Sequence, residues 1–238
     1  MRPGPTSIKK CKGCGNLFKE MSMSSWSSTG NTYWTDGVRD AATTTRRTLP
    51  GLVACPHCGD AVLLAATEDV GEISCRSFLS EQPPHELAFN DLPIYRKLPL
   101  QSYFDFLNAN SLAAEDEKSL RVETWRLSND LRRHDGANLE LSDFEVLNLT
   151  ALVSLFTEPD PGDMLLKAEV LRELGRFDDA RAVLTDLVSK VDALAERRQV
   201  GATELQTTQA TELHVAVAQQ LLGLVNSGDV SLQRLALS

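Results

Sequence analysis

Nothing in this 238-residue sequence approaches the run of about 18 apolar residues that crosses a bilayer. The opening stretch MRPGPTSIKK has no apolar core for a secretory signal, so the expected location is a bacterial-type cytoplasm, away from membranes. Equally missing are the signatures that announce enzymes: a glycine-rich phosphate loop, a His-Glu-x-x-His pair, a nucleophile elbow, or three metal ligands beside an open position. Histidine is scarce, and neither His85, after two prolines, nor His214, on an apolar helical stretch, has a partner by spacing. A protein without turnover of its own is therefore expected. The bulk composition, 42% hydrophobic and 24% charged, suits one large globular domain or two smaller ones.

Positive charge is short in the second half. Residues 1–64 hold eight Lys/Arg against four Asp/Glu, whereas residues 99–238 hold thirteen against twenty-three. An acidic C-terminal half repels nucleic acid and anionic lipid and favours a protein partner with a basic surface.

Cysteine is present in a pattern. Five cysteines in a chain with no export signal argue for reduced thiols, so paired motifs read as metal ligands rather than disulfides. Cys11-Lys-Gly-Cys14-Gly15 and Cys55-Pro-His-Cys58-Gly59 are two knuckles in which a two-residue spacing turns both sulfurs towards one ion, and the following glycine permits a tight backbone. Four thiolates at about 2.3 Å make a closed tetrahedral site for one structural Zn²⁺. Bound zinc would cut the formal surplus of residues 1–64 by two charges. His57 lies between better-placed ligands and reads as a bystander, and the unpaired Cys75 reads as a small buried apolar residue.

The doubled knuckle resembles the zinc-ribbon family, in which two such turns at the ends of β-hairpins clasp one zinc. The resemblance spans residues 9 to about 66 and rests on the four cysteines and their glycines; the 40-residue, hydroxyl-rich interval between the knuckles departs from a plain ribbon. Strand-like pieces flank the knuckles at 16–18, 52–54 and 61–64, and another at 31–35 is closed by an Asp36-Gly37 turn. Trp26, Tyr33, Trp34, Asp36 and Arg39 form an aromatic and polar cluster in the interval. It is either a recognition patch for a peptide, sugar or base, or the cover of a small core beside the metal.

Residues 80–100 carry four prolines and no helical period, so 79–98 reads as an extended linker pinned by Phe89, Ile94 and Tyr95. Beyond Pro99 the pattern is helical, with helices expected near 101–109, 112–134, 163–174, 178–198 and 203–226. Ser142-Asp-Phe-Glu145 is a capping box that starts another, ending before Glu158. The stretch MLLKAEVLRELGRFDDARAVLTDL, with Ala168, Leu171, Gly175, Phe177, Ala180 and Leu184, resembles one tetratricopeptide helix hairpin over about 161–191. Trp125, Asn129 and Arg133 recur every four residues and share a helix face, either as a carboxylate- or phosphate-binding site or as an anchored helix with an exposed Arg126–Asp130–Arg133 ladder.

The expected fold class is α+β: a β-rich zinc ribbon with its insert (1–78), a linker (79–98) and an all-α, tetratricopeptide-like domain (99–238). This joint pattern resembles bacterial zinc-ribbon proteins, a resemblance that implies architecture and no activity. The expected function is a non-catalytic adaptor that binds another protein. The alternative is a nucleic-acid module with Lys9, Lys10, Lys12, Arg46 and Arg47 on phosphates and Trp34 stacking; an enzyme of unrecognised class comes third.

Overall fold

The computed structural model describes residues 2–25, 32–41, 44–45, 51–74, 82–135, 140–157, 160–198 and 205–236. In chain order its strands are β1 (Arg2–Lys10), β2 (Leu17–Ser25), β3 (Thr32–Trp34), β4 (Arg39–Ala41), β5 (Thr44–Thr45), β6 (Leu52–Ala54), β7 (Ala61–Leu63) and β8 (Glu68–Ile73). The helices follow: α1 (Pro84–Leu87), α2 (Leu100–Ala109), α3 (Ala114–Asp135), α4 (Asp143–Leu155), α5 (Pro161–Glu173), α6 (Phe177–Arg198) and α7 (Leu205–Ser227), before a last strand, β9 (Arg234–Leu235). The class is α+β, with small strands first and helices after. No helix among the described residues is long and apolar enough to cross a membrane.

The chain falls into two compact units, and neither is a continuous piece: residues 1–29 with 47–123, and residues 30–46 with 124–238. These boundaries differ from the expected 1–78, 79–98 and 99–238. The middle of the knuckle interval belongs with the helices, and the proline-rich stretch belongs with the ribbon strands.

In the first unit β1 pairs antiparallel with β2 on one side and β8 on the other. Register irregularities fall between Arg2 and Pro3 and between Pro3 and Thr6, as expected where proline has no N–H to give the ladder. A separate hairpin joins β6 to β7. Phe18, Val53, Val62 and Leu64 pack with Cys11 and Cys55 into one small core, with Tyr95 against it. Residues 82–98 are structural rather than a linker. The Lys19 amide donates to the Pro93 carbonyl at 2.8 Å, and Ala54 and Arg96 exchange main-chain bonds at 2.8 and 3.0 Å, so this segment ties β2 to β6. Phe89 lies on Gly71, where an added Cβ would come within 2.7 Å of its ring. The Tyr103 hydroxyl bridges Leu52 O and Glu123 Oε1, and the Gly51 amide donates to Glu123 Oε2.

In the second unit α5, α6 and α7 share a core that includes Met164, Ala168, Leu171, Ala180, Leu184 and Leu221. Helix α5 ends with the Gly175 amide bonded to Arg172 O and the Arg176 amide to Leu171 O, the two bonds of a Schellman motif. Ala168 and Ala180 are both enclosed, which lets α5 and α6 approach closely. Helix α4 starts with the capping box complete in both directions. A four-stranded sheet in the order β5-β4-β3-β9 completes the unit, so the strand around Tyr33 and Trp34 pairs with the far C-terminal segment.

Candidate metal centre and buried polar cluster

Each knuckle is the loop of an antiparallel hairpin, β1–β2 for the first and β6–β7 for the second. The two loops are wired alike. The Cys11 amide bonds to Asn16 O and the Gly15 amide to Cys11 O; the Cys55 amide bonds to Asp60 O and the Gly59 amide to Cys55 O. Gly15 and Gly59 have φ of 73° and 85°, the left-handed region where a side chain is strained. This fold brings the four sulfurs of Cys11, Cys14, Cys55 and Cys58 within 4.8 Å of one another.

Cys11 and Cys58 are 3.8 Å apart across the knuckles, as are Cys14 and Cys55. Four sulfurs placed tetrahedrally at about 2.3 Å from one ion are separated by about 3.8 Å. The donor set and spacing therefore fit one metal ion, in a zinc-ribbon-like arrangement with all four positions filled by protein. Cys11 and Cys55 are buried, and Cys14 and Cys58 lie on the exposed side. The Asn16 amide favours the Cys14 thiolate and lowers it to about 7. The Asp60 amide pulls Cys58 down, but desolvation, the Asp60 carboxylate and the neighbouring sulfurs outweigh it and push the thiol up to about 12. His57 is not a ligand: its Nε2 meets Leu17 O at 2.9 Å, linking the second knuckle to the strand after the first.

The residues put forward for nucleic acid fare differently. Lys9 is 7% exposed; its Nζ lies 3.3 Å from Glu20, 3.0 Å from Asp69 and 3.3 Å from Leu64 O. Lys10 faces Glu68 at 3.9 Å. Arg46 and Arg47, like Trp26 and Cys75, lie outside the described residues. Counted over the observed unit, eleven Lys/Arg stand against thirteen Asp/Glu, so the basic surplus of residues 1–64 disappears.

Two sets of residues proposed separately from the sequence meet in the second unit. The Asp36 carboxylate, with no exposed surface, is ion-paired to Arg133, whose side chain is 3% exposed. The Val38 amide donates to Asp36 at 3.2 Å and Asn129 Nδ2 at 3.3 Å, while Arg126 Nε donates to Asp36 O at 3.2 Å. The Arg133 guanidinium also bonds Asp130 and Arg126 O, and it lies 5.9 Å over the Trp34 ring. Trp125 Nε1 donates to Glu173 Oε2 at 2.9 Å and Asn129 Nδ2 to Glu173 Oε1 at 3.3 Å. Next to Glu173, Arg172 grips Glu169 with two nitrogens and reaches Asp229 O and Ser231 O.

The arginine ladder is thus enclosed where an exposed one was expected, and Trp34 and Asp36 belong to the helical unit rather than to the ribbon. Arg39 pairs through its backbone with Tyr33, and Tyr33 with Leu235. Glu169, Arg172 and Glu173 were not anticipated. At positions i, i+3 and i+4 they resemble a solvated face, yet residues 168–173 are buried without a break. The available signal was that the apolar residues of α5 cover more than one side, which marks a helix surrounded by others.

Burial pushes Asp36 up despite Arg133 beside it. The cluster is closed: Asp36, Asn129 and Glu173 are 0, 0 and 6% exposed. A small pocket of about 190 Å³ lined by Phe156, Met164, Lys167, Val183 and Lys190 contains none of its members. No family model, curated protein or solved structure matches the chain.

Proposed function

We propose that this is a zinc-stabilised, non-catalytic interaction protein of bacterial cytoplasmic type, an adaptor that works by binding another protein. The observation that carries the reading is the four-sulfur arrangement with its 3.8 Å separations, which uses all four tetrahedral positions and leaves none for a substrate or water. Thiolates favour zinc over the hard, oxygen-loving cations, so the metal is read as one structural Zn²⁺ in a zinc ribbon. The enclosed α5–α6 pair, with small Ala168 and Ala180 inside, is read as a single tetratricopeptide-like hairpin.

The described polar candidates support a non-catalytic role because Asp36 pairs with Arg133, and Trp125 and Asn129 bond Glu173, inside the protein. The helical unit holds thirteen Lys/Arg against twenty Asp/Glu, which favours a partner with a basic surface. Two measurements test the reading. Elemental analysis of the purified protein should give one zinc per chain. Affinity capture at low salt should retain a protein that dissociates as ionic strength approaches 1 M, where the Debye length is about 3 Å. Tight nucleic-acid binding in a mobility-shift assay, or hydrolysis of a nucleotide, peptide or ester abolished by one side-chain change, would overturn it.

A further inference from the structure

The cluster in the helical unit holds several carboxyls in different surroundings. Asp36 pairs with the enclosed Arg133, which also meets the partly exposed Asp130, and Glu169 pairs with the enclosed Arg172. Glu173 is a fourth carboxyl. Its two hydrogen-bond donors, Trp125 Nε1 and Asn129 Nδ2, are both neutral. Arg172, the cation beside it on the same helix, is committed to Glu169, Asp229 O and Ser231 O. An enclosed carboxyl whose hydrogen-bond donors are all neutral is favoured in its protonated form, and Glu173 is such a group. Trp125 donates to Oε2 at 2.9 Å, and the Asn129 amide, shared with Asp36, donates to Oε1 at 3.3 Å.

We propose that Glu173 is a proton-operated latch: as a neutral acid it fits the enclosed cluster that holds the β3–β4 turn and β9 onto the helices, and its ionisation, facing only neutral donors, loosens them. Asp36 is the contact through which the turn is held, and Arg172 holds the C-terminal segment through Asp229 O and Ser231 O. Glu173 is linked to the first through Asn129, which bonds both carboxylates, and it neighbours Arg172 of the second along α5. The groups around it are Asp36 from the turn, Trp125 and Asn129 from α3, and Glu169 and Arg172 from its own helix, with Arg126 on the far side of Asp36 and Asp229 on the far side of Arg172. The Arg132–Glu145 pair between α3 and α4 lies behind Asn129.

Burial first, then the charges of Glu169 and Asp36, push Glu173 up to about 8, against the help of Trp125 and Arg172. An acid whose pKa is higher closed than open stabilises the closed form fully below the open-state value. That stabilisation is lost as pH rises towards the closed-state value. The latch is therefore shut in mild acid and weakens between about pH 5 and about pH 8.

Hydrogen exchange on the metal-loaded, full-length protein tests this at the Trp34 and Thr35 amides, which bond to Val38 O and Gln233 O. After division by the intrinsic rate, the opening constant should rise about tenfold per pH unit from about pH 6 to about pH 8 and then level off. In Glu173→Gln the rise should vanish, and amides in the α6 core near Leu184 should show no such rise in either protein. An identical slope in both proteins, a flat wild-type profile, or the same slope at Leu184 would overturn the proposal. Infrared titration of the wild type needs no variant: a protonated-carboxyl band should persist at about pH 7 and disappear above about pH 8. Its absence at neutral pH would equally refute the latch.

Discussion

Replacing Arg133 by Met keeps an unbranched apolar side chain and removes the charge, together with the guanidinium that lies over Trp34. The Arg133 side chain is 3% exposed and the Asp36 carboxylate is wholly enclosed, so water cannot compensate for the missing partner. Asp36 would keep the Val38 amide, the long contact from Asn129, and the field of Arg126. Breaking a buried ion pair by removing one partner costs about 3–5 kcal/mol. Arg126 remains, and Asp36 is already shifted towards its neutral form, so the lower end, about 3 kcal/mol, is expected for Arg133→Met. That is a large part of a stability of about 5–15 kcal/mol. Removing both charges in Arg133→Met with Asp36→Asn should cost less than the sum of the single changes by at least about 1 kcal/mol, because no charge is then stranded. Urea denaturation of the four proteins, with metal bound throughout, closes the cycle. A loss below about 1 kcal/mol for Arg133→Met, or strict additivity, would show that the pair is solvated and the enclosure argument wrong.

The metal staple makes its own prediction: Cys58→Ser should lower zinc content and melting temperature together, because ribbon folding and metal binding are one process, and a variant with full zinc and an unchanged melt refutes the site. Ala180→Trp should overpack the α5–α6 contact, where Ala180 has no exposed surface, and cost about 1–3 kcal/mol or more; an unchanged melt would remove the hairpin reading. Lys9→Met should leave Glu20 and Asp69 without their shared cation and lower stability more in dilute buffer than in 1 M salt, about where surface pairs are screened. A fragment ending at residue 78 should bind metal yet give broad, poorly dispersed NMR signals for residues 32–41, whose strand partner β9 and ion partner Arg133 it lacks; sharp, dispersed signals there would show that the excursion folds alone.

Local chemistry was legible, and long-range pairing was not. The knuckles, the capping box at Ser142 and Glu145, and the strand at 52–54 each depend on a few neighbouring residues, so their spacing carries the information. Strand β1 was not anticipated because Pro3 and Pro5 break the alternation that marks a strand, and its ladder irregularities fall at that end. The partnership of β3 with β9 joins residues about two hundred positions apart through a two-residue strand, too short to leave a pattern. Of the three residues read as pins on an extended linker, Phe89 packs on Gly71 and Tyr95 on the core around Cys11, but Ile94 is exposed, Pro84–Leu87 is helical, and the bridges from Pro93 and Arg96 are main-chain bonds, which no side-chain pattern records.

The two candidate clusters from the sequence illustrate a limit on inferring function from residue type. Trp34 with Asp36, and Trp125 with Asn129 and Arg133, have the composition of recognition sites: aromatic faces beside arginine and carboxylate. The same composition is what a protein needs to bury charge, since each ion must meet an opposite charge or several hydrogen bonds once water is gone. The two uses differ in whether an ionic partner lies outside or inside. Here Asp36 meets Arg133 and Trp125 meets Glu173, so the recognition these residues perform is of one part of the helical unit by another. On the proposed reading, a surface for a partner protein would be built from other side chains, and the acids outside this cluster, in a unit with twenty Asp/Glu against thirteen Lys/Arg, are the ones with charge still to offer.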